Sequence, residues 1–334
     1  MTERNRPPTP DRLVSLLDEG DDEAAASLDR LGAGDADARK RALRALRDAA
    51  DDRPDRFEGL VPSLAPFLTD EDRAVRLTTA KLFVALARSA PAIALPATDA
   101  LAARLADDGE FYYVRARCAE ALGYVAVDSP EAVAAPETLA DLRVGLEFDE
   151  PEVRAKLAKA LAHVALGDPS RLRHRVDSLA GHLGDGDELV RYHLCTALVV
   201  VGAEHPGKLV GATDALRERL TDESPHVRGR AAEALGLLAE SDAAVGPRPA
   251  VDEDGGADEA PQFLTDRLRF LRRRLDGART EDASAAVGTV ESVRDGTEAA
   301  VAEMTSSDEG ACPHCGLDLS DGGPPMCPRC GTPR

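Results

Sequence analysis

One short sequence pattern recurs six times in this 334-residue chain and limits what the chain can fold into. In each copy an acidic or turn-forming segment leads into an arginine, after which Ala and Leu follow at helical spacing. A period of about 20 to 50 residues predicts a stack of similar units, none of which can bury its apolar face alone. The repeated arginines, separated by 37, 39, 39, 37 and 37 residues, are Arg39, Arg76, Arg115, Arg154, Arg191 and Arg228.

Each copy contains two helical patterns. The arginine lies near the start of the longer, second pattern, as in "DEPEVRAKLAKALAHVA" (149–165), and a shorter one such as "TDALAARL" (98–105) precedes most copies. Hydrophobic residues make up 43% of the chain but aromatic residues only 3%, and this suits helices packed closely through Ala, Leu and Val. We therefore predict an all-α fold, a stacked solenoid of about six helical hairpins.

The pattern in "TDESPHVRGRAAEALGLLA" (221–239) resembles HEAT repeats, especially their phycobilisome-lyase-like subtype. The resemblance covers roughly residues 20–240, with a weaker start at 10–32, and implies a right-handed α-solenoid while saying little about function. It also implies that Asp and Arg side chains form a ladder along the stack. The aspartates six residues before three of the arginines are Asp70, Asp185 and Asp222.

Certain positions in the repeat predict burial. The residue before each of the last five arginines is a valine, which we expect to pack inward. Cys118 and Cys195 fall on small apolar positions, where a buried thiol is expected. The valines are Val75, Val114, Val153, Val190 and Val227.

A second row of residues follows each repeated arginine by two positions and includes Thr78. The repeat pattern predicts that this row is exposed, and the resemblance places the second helix on the concave face. We predict that its basic members bind an acidic peptide or protein surface, and the alternative is a solvated face paired with nearby Glu. Tyr112, Tyr113 and Tyr192 lie beside the row, either as contact anchors or as half-buried packing. The predicted partner-binding residues are Arg41, Arg117, Lys156, His193 and Arg230.

The four remaining cysteines form two CxxC pairs near the end of the chain, separated by 11 residues. Paired thiolates at this spacing suit one tetrahedral ion at about 2.3 Å, and four Cys ligands leave no open position for catalysis. Residues 312–331 resemble a zinc ribbon or paired zinc knuckle, so one structural Zn²⁺ is expected. Iron or a redox dithiol is the alternative. The predicted ligands are Cys312, Cys315, Cys327 and Cys330.

Between the repeats and the cysteines the composition changes. We predict a basic amphipathic helix over 262–277 that ends at Gly277 and folds back on the acidic repeats, the alternatives being contact with a membrane or with a partner. A second helical pattern over 282–304 indicates a coiled coil, a hairpin with the first helix, or partial disorder. The predicted domains are a disordered N-terminus (1–9), the repeat solenoid (10–241), a flexible acidic linker (242–261), a helical segment (262–305) and the zinc ribbon (306–334).

The charge of the chain restricts its function. The net charge of −20 argues against non-specific binding to polyanions. Abundant Asp, Glu and Ala with only five Lys resemble proteins from salt-rich cytoplasm, such as that of haloarchaea. There is no run of 18 apolar residues and no signal-peptide pattern, so we expect a cytoplasmic protein without a membrane segment.

We predict a non-catalytic interaction scaffold that binds a protein partner through its concave surface and its tethered ribbon. The sequence contains no Walker loop, GxSxG or HExxH motif, and it lacks the His-Glu pairs with which HEAT-like deoxyhypusine hydroxylases hold iron. The alternative is a regulator that contacts nucleic acid through the ribbon. An enzyme of the bilin-lyase type is less favoured, because the repeat motif is structural and carries no activity.

Overall fold

The computed structural model describes residues 8–19, 21–241, 261–277 and 287–305, and all regular structure in these ranges is helical. The helices pack as two compact units, unit 1 (Met1–Arg171) and unit 2 (Leu172–Arg334). The all-α prediction is confirmed for the described residues.

The described residues of unit 1 form ten α-helices. Four of them, α3, α5, α8 and α10, are the predicted second helices of the repeat; each is 17 residues long, and they pack side by side in chain order. The bounds are α1 Pro10–Glu19, α2 Asp21–Gly32, α3 Ala36–Asp52, α4 Val61–Leu64, α5 Arg73–Ser89, α6 Pro91–Ala94, α7 Thr98–Ala106, α8 Tyr112–Asp128, α9 Pro136–Val144 and α10 Pro151–Gly167.

Six further α-helices lie in the part of unit 2 that the structure describes. Helix α12 packs against α14, α14 packs against α15, and α16 packs against α12. The bounds are α11 Val176–Ala180, α12 Glu188–Glu204, α13 Thr213–Glu218, α14 Pro225–Leu238, α15 Gln262–Leu275 and α16 Val290–Thr305.

Helix α15 confirms the predicted helix over 262–277 and its packing against the repeats. The start of α15 lies 37 residues after the start of α14. Arg267 therefore occupies the position that Arg230 holds in α14. Gly277, directly after this helix, has the positive φ expected at a helix end (φ 74°). Helix α15 therefore takes the place of one more second helix, although its sequence lacks the Val-Arg pair.

The first and second helices of a repeat differ in length for a local reason. Helix α4 has Pro62 in its first turn, where a proline is tolerated, and the chain continues after Leu64 as a 3₁₀ turn over Ala65–Thr69. That turn contains Pro66, whose missing N–H cannot extend the α-helix. Several second helices are instead capped at their start, where Asp35 accepts from Ala38 N at 2.7 Å and Asp187 accepts from Val190 N at 3.1 Å.

The interior of each unit follows the predicted pattern. The five valines that precede the repeated arginines are fully buried, and so are Cys118 and Cys195. Small residues let the second helices approach closely: a Cβ on Gly123 of α8 would lie 2.8 Å from the Cα of Ala160 on α10. Gly123 is therefore a position where only a glycine fits without moving the neighbouring helix.

Candidate partner-binding surfaces

Three of the repeated arginines, Arg39, Arg76 and Arg191, form the predicted contacts with carboxylates of the following repeat. Arg39 donates from Nη2 to Asp70 Oδ1 at 2.9 Å, and Arg76 donates from Nε to Glu110 Oε2 at 2.7 Å. In unit 2, Arg191 Nε donates to Asp222 Oδ2 at 2.8 Å. Each acceptor lies just before the second helix of the following repeat. The ladder therefore holds successive second helices in register.

Arginines that follow an aspartate by six residues contact the backbone carbonyl of that aspartate rather than its carboxylate. Arg76 donates to the backbone carbonyl of Asp70 at 2.8 Å, and Arg228 donates to that of Asp222 at 2.7 Å. The carboxylate of Asp222 accepts the backbone N–H of Ser224 at 3.0 Å and thus stays near the N-terminus of α14, where the helix dipole favours an anion. Asp70 and Asp222 thus each contact the arginine six residues later through the backbone carbonyl and the arginine of the preceding repeat through the carboxylate.

The predicted exposure of the basic row is wrong at most positions. Arg41 is exposed and Lys156 is half-buried, but Arg117, His193 and Arg230 are 3%, 2% and 0% exposed. Arg117 pairs with Glu120 of its own helix and with Glu152 of α10, and Arg230 pairs with Glu233 of its own helix. The charges of these two arginines are therefore neutralised inside the units. The pairing with nearby Glu that the alternative named is present, but these pairs are buried. Partner binding by these residues stays a prediction, now without the exposure on which it depended.

In unit 1 the row forms a charge network between α8 and α10. Arg117 donates to Glu120 at 2.8 Å and to Glu152 at 3.1 Å, and Lys156 donates to Glu120 at 2.9 Å. Burial alone would raise the pKa of Glu120, but the charges of Lys156 and Arg117 hold the pKa well below its usual range. The carboxylate of Glu120 is thus ionised and links two helices.

In unit 2 the network is centred on Glu233, which is fully buried. Its Oε2 accepts from Arg230 Nη1 at 2.7 Å and from Arg267 Nε at 2.9 Å, while Oε1 accepts the backbone N–H of Gly288 at 2.9 Å. Burial would raise the pKa of Glu233, but the two guanidinium groups lower it overall. Gly288 has a φ of 91°, a backbone conformation that favours glycine. Glu233 therefore ties α14, α15 and the start of α16 together.

Helix α16 contacts both α12 and α14 in unit 2. Its buried side chains are Val293, Thr297 and Ala300, which confirms part of the apolar pattern predicted for 282–304. Thr297 Oγ1 accepts from Arg230 Nη2 at 3.2 Å, and Glu303 Oε2 lies 3.0 Å from His226 Nε2. The partner helix of α16 is α12. A helix of the same chain therefore already occupies this surface.

Unit 1 carries a group of half-buried aromatic side chains at its loop edge, which we call the aromatic ridge. Ring centroids are 4.6 Å apart for Phe111 and Tyr112, 4.9 Å for Tyr112 and Tyr113, and 6.4 Å for Tyr112 and Phe148. Arg73 lies 4.4 Å from the centroid of Phe111. The chain has only seven Phe and four Tyr, so this ridge gathers a large share of its aromatic rings. Tyr192, by contrast, is fully buried and is not a surface anchor.

Acidic side chains surround the aromatic ridge. Asp108, whose side chain is 96% exposed, pairs with Arg115 at 3.2 Å, and Glu147 and Asp149 are exposed beside Phe148. A hydrogen bond to Glu150 raises the pKa of Tyr112. The ridge thus combines aromatic faces with carboxylates that point to solvent.

Sequence reasoning noticed Tyr112 and Tyr113 but missed Phe111 and Phe148. The spacing could have indicated them, because these two residues are 37 residues apart, which is one repeat period. It also missed Glu120 and Glu233, each three residues after a basic residue of the row, which is the spacing of neighbours on one helix face.

The predicted metal ligands, Cys312, Cys315, Cys327 and Cys330, lie outside the described residues. Within the described ranges, no three His, Cys, Asp or Glu side chains are grouped closely enough to hold a metal ion. In the same ranges, every helix is too short or too polar to cross a bilayer.

The family model described as HEAT repeats matches residues 176–246. No curated protein matches this chain closely enough to count as a relative. Among solved structures, an engineered protein matches with a TM-score of 0.56 and 22% identity over 93% of this chain and 86% of its own. A designed armadillo repeat protein matches with a TM-score of 0.54 and 21% identity, over 69% of this chain and 100% of its own. Another designed armadillo repeat protein, solved in complex with the peptide (KR)4, matches with a TM-score of 0.54 and 20% identity, over 69% of this chain and 98% of its own.

These structural neighbours support an α-solenoid. The match to HEAT repeats covers residues 176–246, and over the rest of the chain the comparisons support the fold alone.

Proposed function

We propose that the protein is a non-catalytic interaction scaffold that binds a basic protein segment at the aromatic ridge of unit 1. The observation that carries the proposal is the concentration of rings at Phe111, Tyr112, Tyr113 and Phe148 in a chain with so few aromatic residues. Aromatic side chains with an apolar body and a polar end are enriched among the residues that dominate binding energy at interfaces.

The chemistry around the ridge selects the partner. A guanidinium or ammonium group can lie over a Tyr or Phe face, as Arg73 already does over Phe111. The exposed carboxylates of Asp108 and Asp149 would pair with neighbouring cations of the same segment. This differs from the charge expected from the sequence, because Arg117 and Arg230 of the basic row are paired inside the units. The exposed carboxylates at the ridge, those of Asp108, Glu147 and Asp149, outnumber its exposed cation Arg73. The same fold in a designed protein accommodates a basic peptide, which agrees with this chemistry.

The C-terminal cysteines supply the second part of the proposal. Cys312, Cys315, Cys327 and Cys330 form a donor set of four thiolates, which suits Zn²⁺ in a closed structural site. A small module of this kind depends on the metal for its folding energy. Joined to the repeats, it would offer a second contact and raise the effective concentration at a shared target. Contact with nucleic acid through this module is the outcome that would favour the regulator instead.

We expect the double change Tyr112→Ala and Phe148→Ala to weaken binding of a basic peptide about tenfold, or about 1.4 kcal/mol. The probe is a fluorescent octapeptide of alternating Lys and Arg, and binding is followed by anisotropy at several salt concentrations. The matched control is Val210→Ala, which removes apolar atoms from a side chain that is 51% exposed in unit 2. Equal affinities for the two variants would show that the peptide follows net charge, and the ridge proposal would then be rejected.

We expect metal analysis of the purified full chain to find about one zinc per chain. The double change Cys312→Ser and Cys315→Ser should abolish the bound metal, since two ligands are lost from one tetrahedral ion. The control is Cys195→Ala, because Cys195 is fully buried in α12 and should leave the zinc content unchanged. Stoichiometric metal in the double variant would contradict the ribbon assignment.

A further inference from the structure

We infer that the surface beneath α16 in unit 2 is a binding site for an acidic amphipathic helix, and that α16 is its displaceable occupant. This surface is separate from the aromatic ridge and takes a partner of opposite charge. The inference depends on the contacts that hold α16, on the charges around Arg230, and on the lack of a hydrogen-bond acceptor for Arg230 Nε.

The contact that holds α16 is narrow. Three of its side chains are fully covered, and all three are small: Val293, Thr297 and Ala300. Val290, Val301 and Met304 are half-buried at the two ends of the helix, and the face opposite the stripe points to solvent, with Glu291, Asp295 and Glu298 exposed. Polar contacts also join this segment to α14: Gly288 N donates to Glu233, Thr297 accepts from Arg230, and Glu303 lies beside His226. Another helix that presents the same stripe and similar polar groups can replace these contacts.

The sequence of α16 also weakens the helix itself. Gly296 lies in its middle, and a Cβ built there meets no atom within 4 Å. Packing therefore does not require glycine at this position, and glycine lowers helix stability by about 1 kcal/mol relative to alanine. Isolated helices of about this length are marginal in water, so α16 depends on the surface that it covers.

The charges around Arg230, the cation that contacts α16, do not balance. Arg230 and Arg267 of α15 share the single carboxylate of Glu233. Arg230 is fully buried, and its Nε has no hydrogen-bond acceptor among the described residues. From α16 this cation receives only the neutral hydroxyl of Thr297, at 3.2 Å. The site thus contains an excess positive charge that a neutral side chain covers.

A partner helix with a carboxylate at the position of Thr297 would supply what the site lacks. A carboxylate facing Arg230 would form a charge-assisted hydrogen bond, which is roughly twice as strong as one between neutral groups. A second carboxylate two turns later would meet His226, as Glu303 does at 3.0 Å. The fitting partner is therefore a helix with small apolar residues at the positions of 293 and 300 and acidic residues at those of 297 and 303.

The test uses two neighbouring alanines of the full chain. Ala300 is 3% exposed and Ala299 is exposed, so Ala300→Asp places a carboxylate against the surface whereas Ala299→Asp leaves one in water. Hydrogen exchange over 290–305 should be at least about tenfold faster in the Ala300→Asp chain, with α12 and α14 still protected. Equal exchange in the two variants would overturn the inference that α16 is held by this face.

The probe for the partner is a labelled peptide of residues 287–305 carrying Thr297→Asp. It should bind the Ala300→Asp chain at least about tenfold more tightly than a peptide of unchanged sequence, and it should bind the Ala299→Asp chain weakly because α16 is in place. A peptide that binds both chains alike, or that gains nothing from the carboxylate, would contradict the proposed recognition by Arg230.

A second measurement covers the case in which the Ala300→Asp chain fails to fold. The unaltered chain is mixed with a saturating amount of the Thr297→Asp peptide, and exchange over 290–305 of the chain is followed. Displacement should accelerate this exchange, whereas the peptide of unchanged sequence should act more weakly. No acceleration by either peptide would reject α16 as a displaceable occupant.

Discussion

Replacing Glu233 with alanine is expected to lower the free energy of unfolding by about 3 to 5 kcal/mol, because it removes one partner from a buried ionic network. The side chain is fully buried and accepts hydrogen bonds from Arg230, Arg267 and the backbone of Gly288. Without it, two cations lie in the interior with no carboxylate to neutralise them. Equilibrium unfolding of the full chain in urea measures the change.

The control for this experiment is Glu218→Ala. The Glu218 side chain is 74% exposed and lies 3.7 Å from Arg219, and such surface pairs contribute about 0 to 1 kcal/mol. Glu233→Gln should fall between the two, because the amide keeps an acceptor for Gly288 but loses the charge that Arg230 and Arg267 share. If Glu233→Ala and Glu218→Ala have equal effects, the network does not hold α14, α15 and α16 together.

Replacing Gly123 with alanine is expected to destabilise the protein by about 1 to 3 kcal/mol, although alanine is the better helix former. The new Cβ would lie 2.8 Å from the Cα of Ala160 and 3.2 Å from its Cβ, so α8 and α10 would have to move apart. The obstacle is backbone, which cannot rotate away as a long side chain can. Urea unfolding measures this change as well.

The matched control is Gly296→Ala, in the middle of α16. A Cβ at that position meets nothing within 4 Å, so the substitution should stabilise the chain by up to about 1 kcal/mol. The pair separates the helix preference of glycine from its packing role. Two substitutions with the same sign would show that the close approach of α8 and α10 does not determine the effect at Gly123.

The two sets of buried charges serve different purposes in this protein. The ladder residues Arg39, Arg76 and Arg191 act at the starts of the second helices, where each arginine meets the carboxylate of the following repeat. The networks around Glu120 and Glu233 act on the second helices themselves. A buried ion pair gains little net stability over an apolar pair, but its geometry fixes which groups must meet. Both sets therefore specify how neighbouring helices align.

The aromatic ridge shows how far sequence reasoning reaches toward a binding surface. Tyr112 and Tyr113 are adjacent in the sequence, and their presence in a chain so poor in aromatic residues is a visible signal. Arg73 and Phe148 reach the same place only because stacking puts equivalent loops side by side, roughly one repeat apart. A stack converts a distance of about 38 residues along the chain into direct contact.

The sequence by itself determined the repeat and everything that depends on the order of residues within one helix. It predicted the register of the arginines, the inward valines such as Val227, the buried thiols of Cys118 and Cys195, and a helix over 262–277. These properties follow from periodicity, because side chains three or four positions apart share a helix face wherever the helix is placed.

Only the tertiary structure decided which of those faces are covered. The repeat pattern predicts that Arg230 is exposed. In the structure Arg230 is buried, because Thr297 contacts it and Arg267 binds the same carboxylate, and both residues lie more than 35 positions further along the chain. Gly123 and Gly296 are both glycines in the middle of a helix, and only the packing of α8 against α10 makes one of them necessary. The physical reason is that burial depends on every segment that reaches a surface, whereas periodicity describes one segment alone.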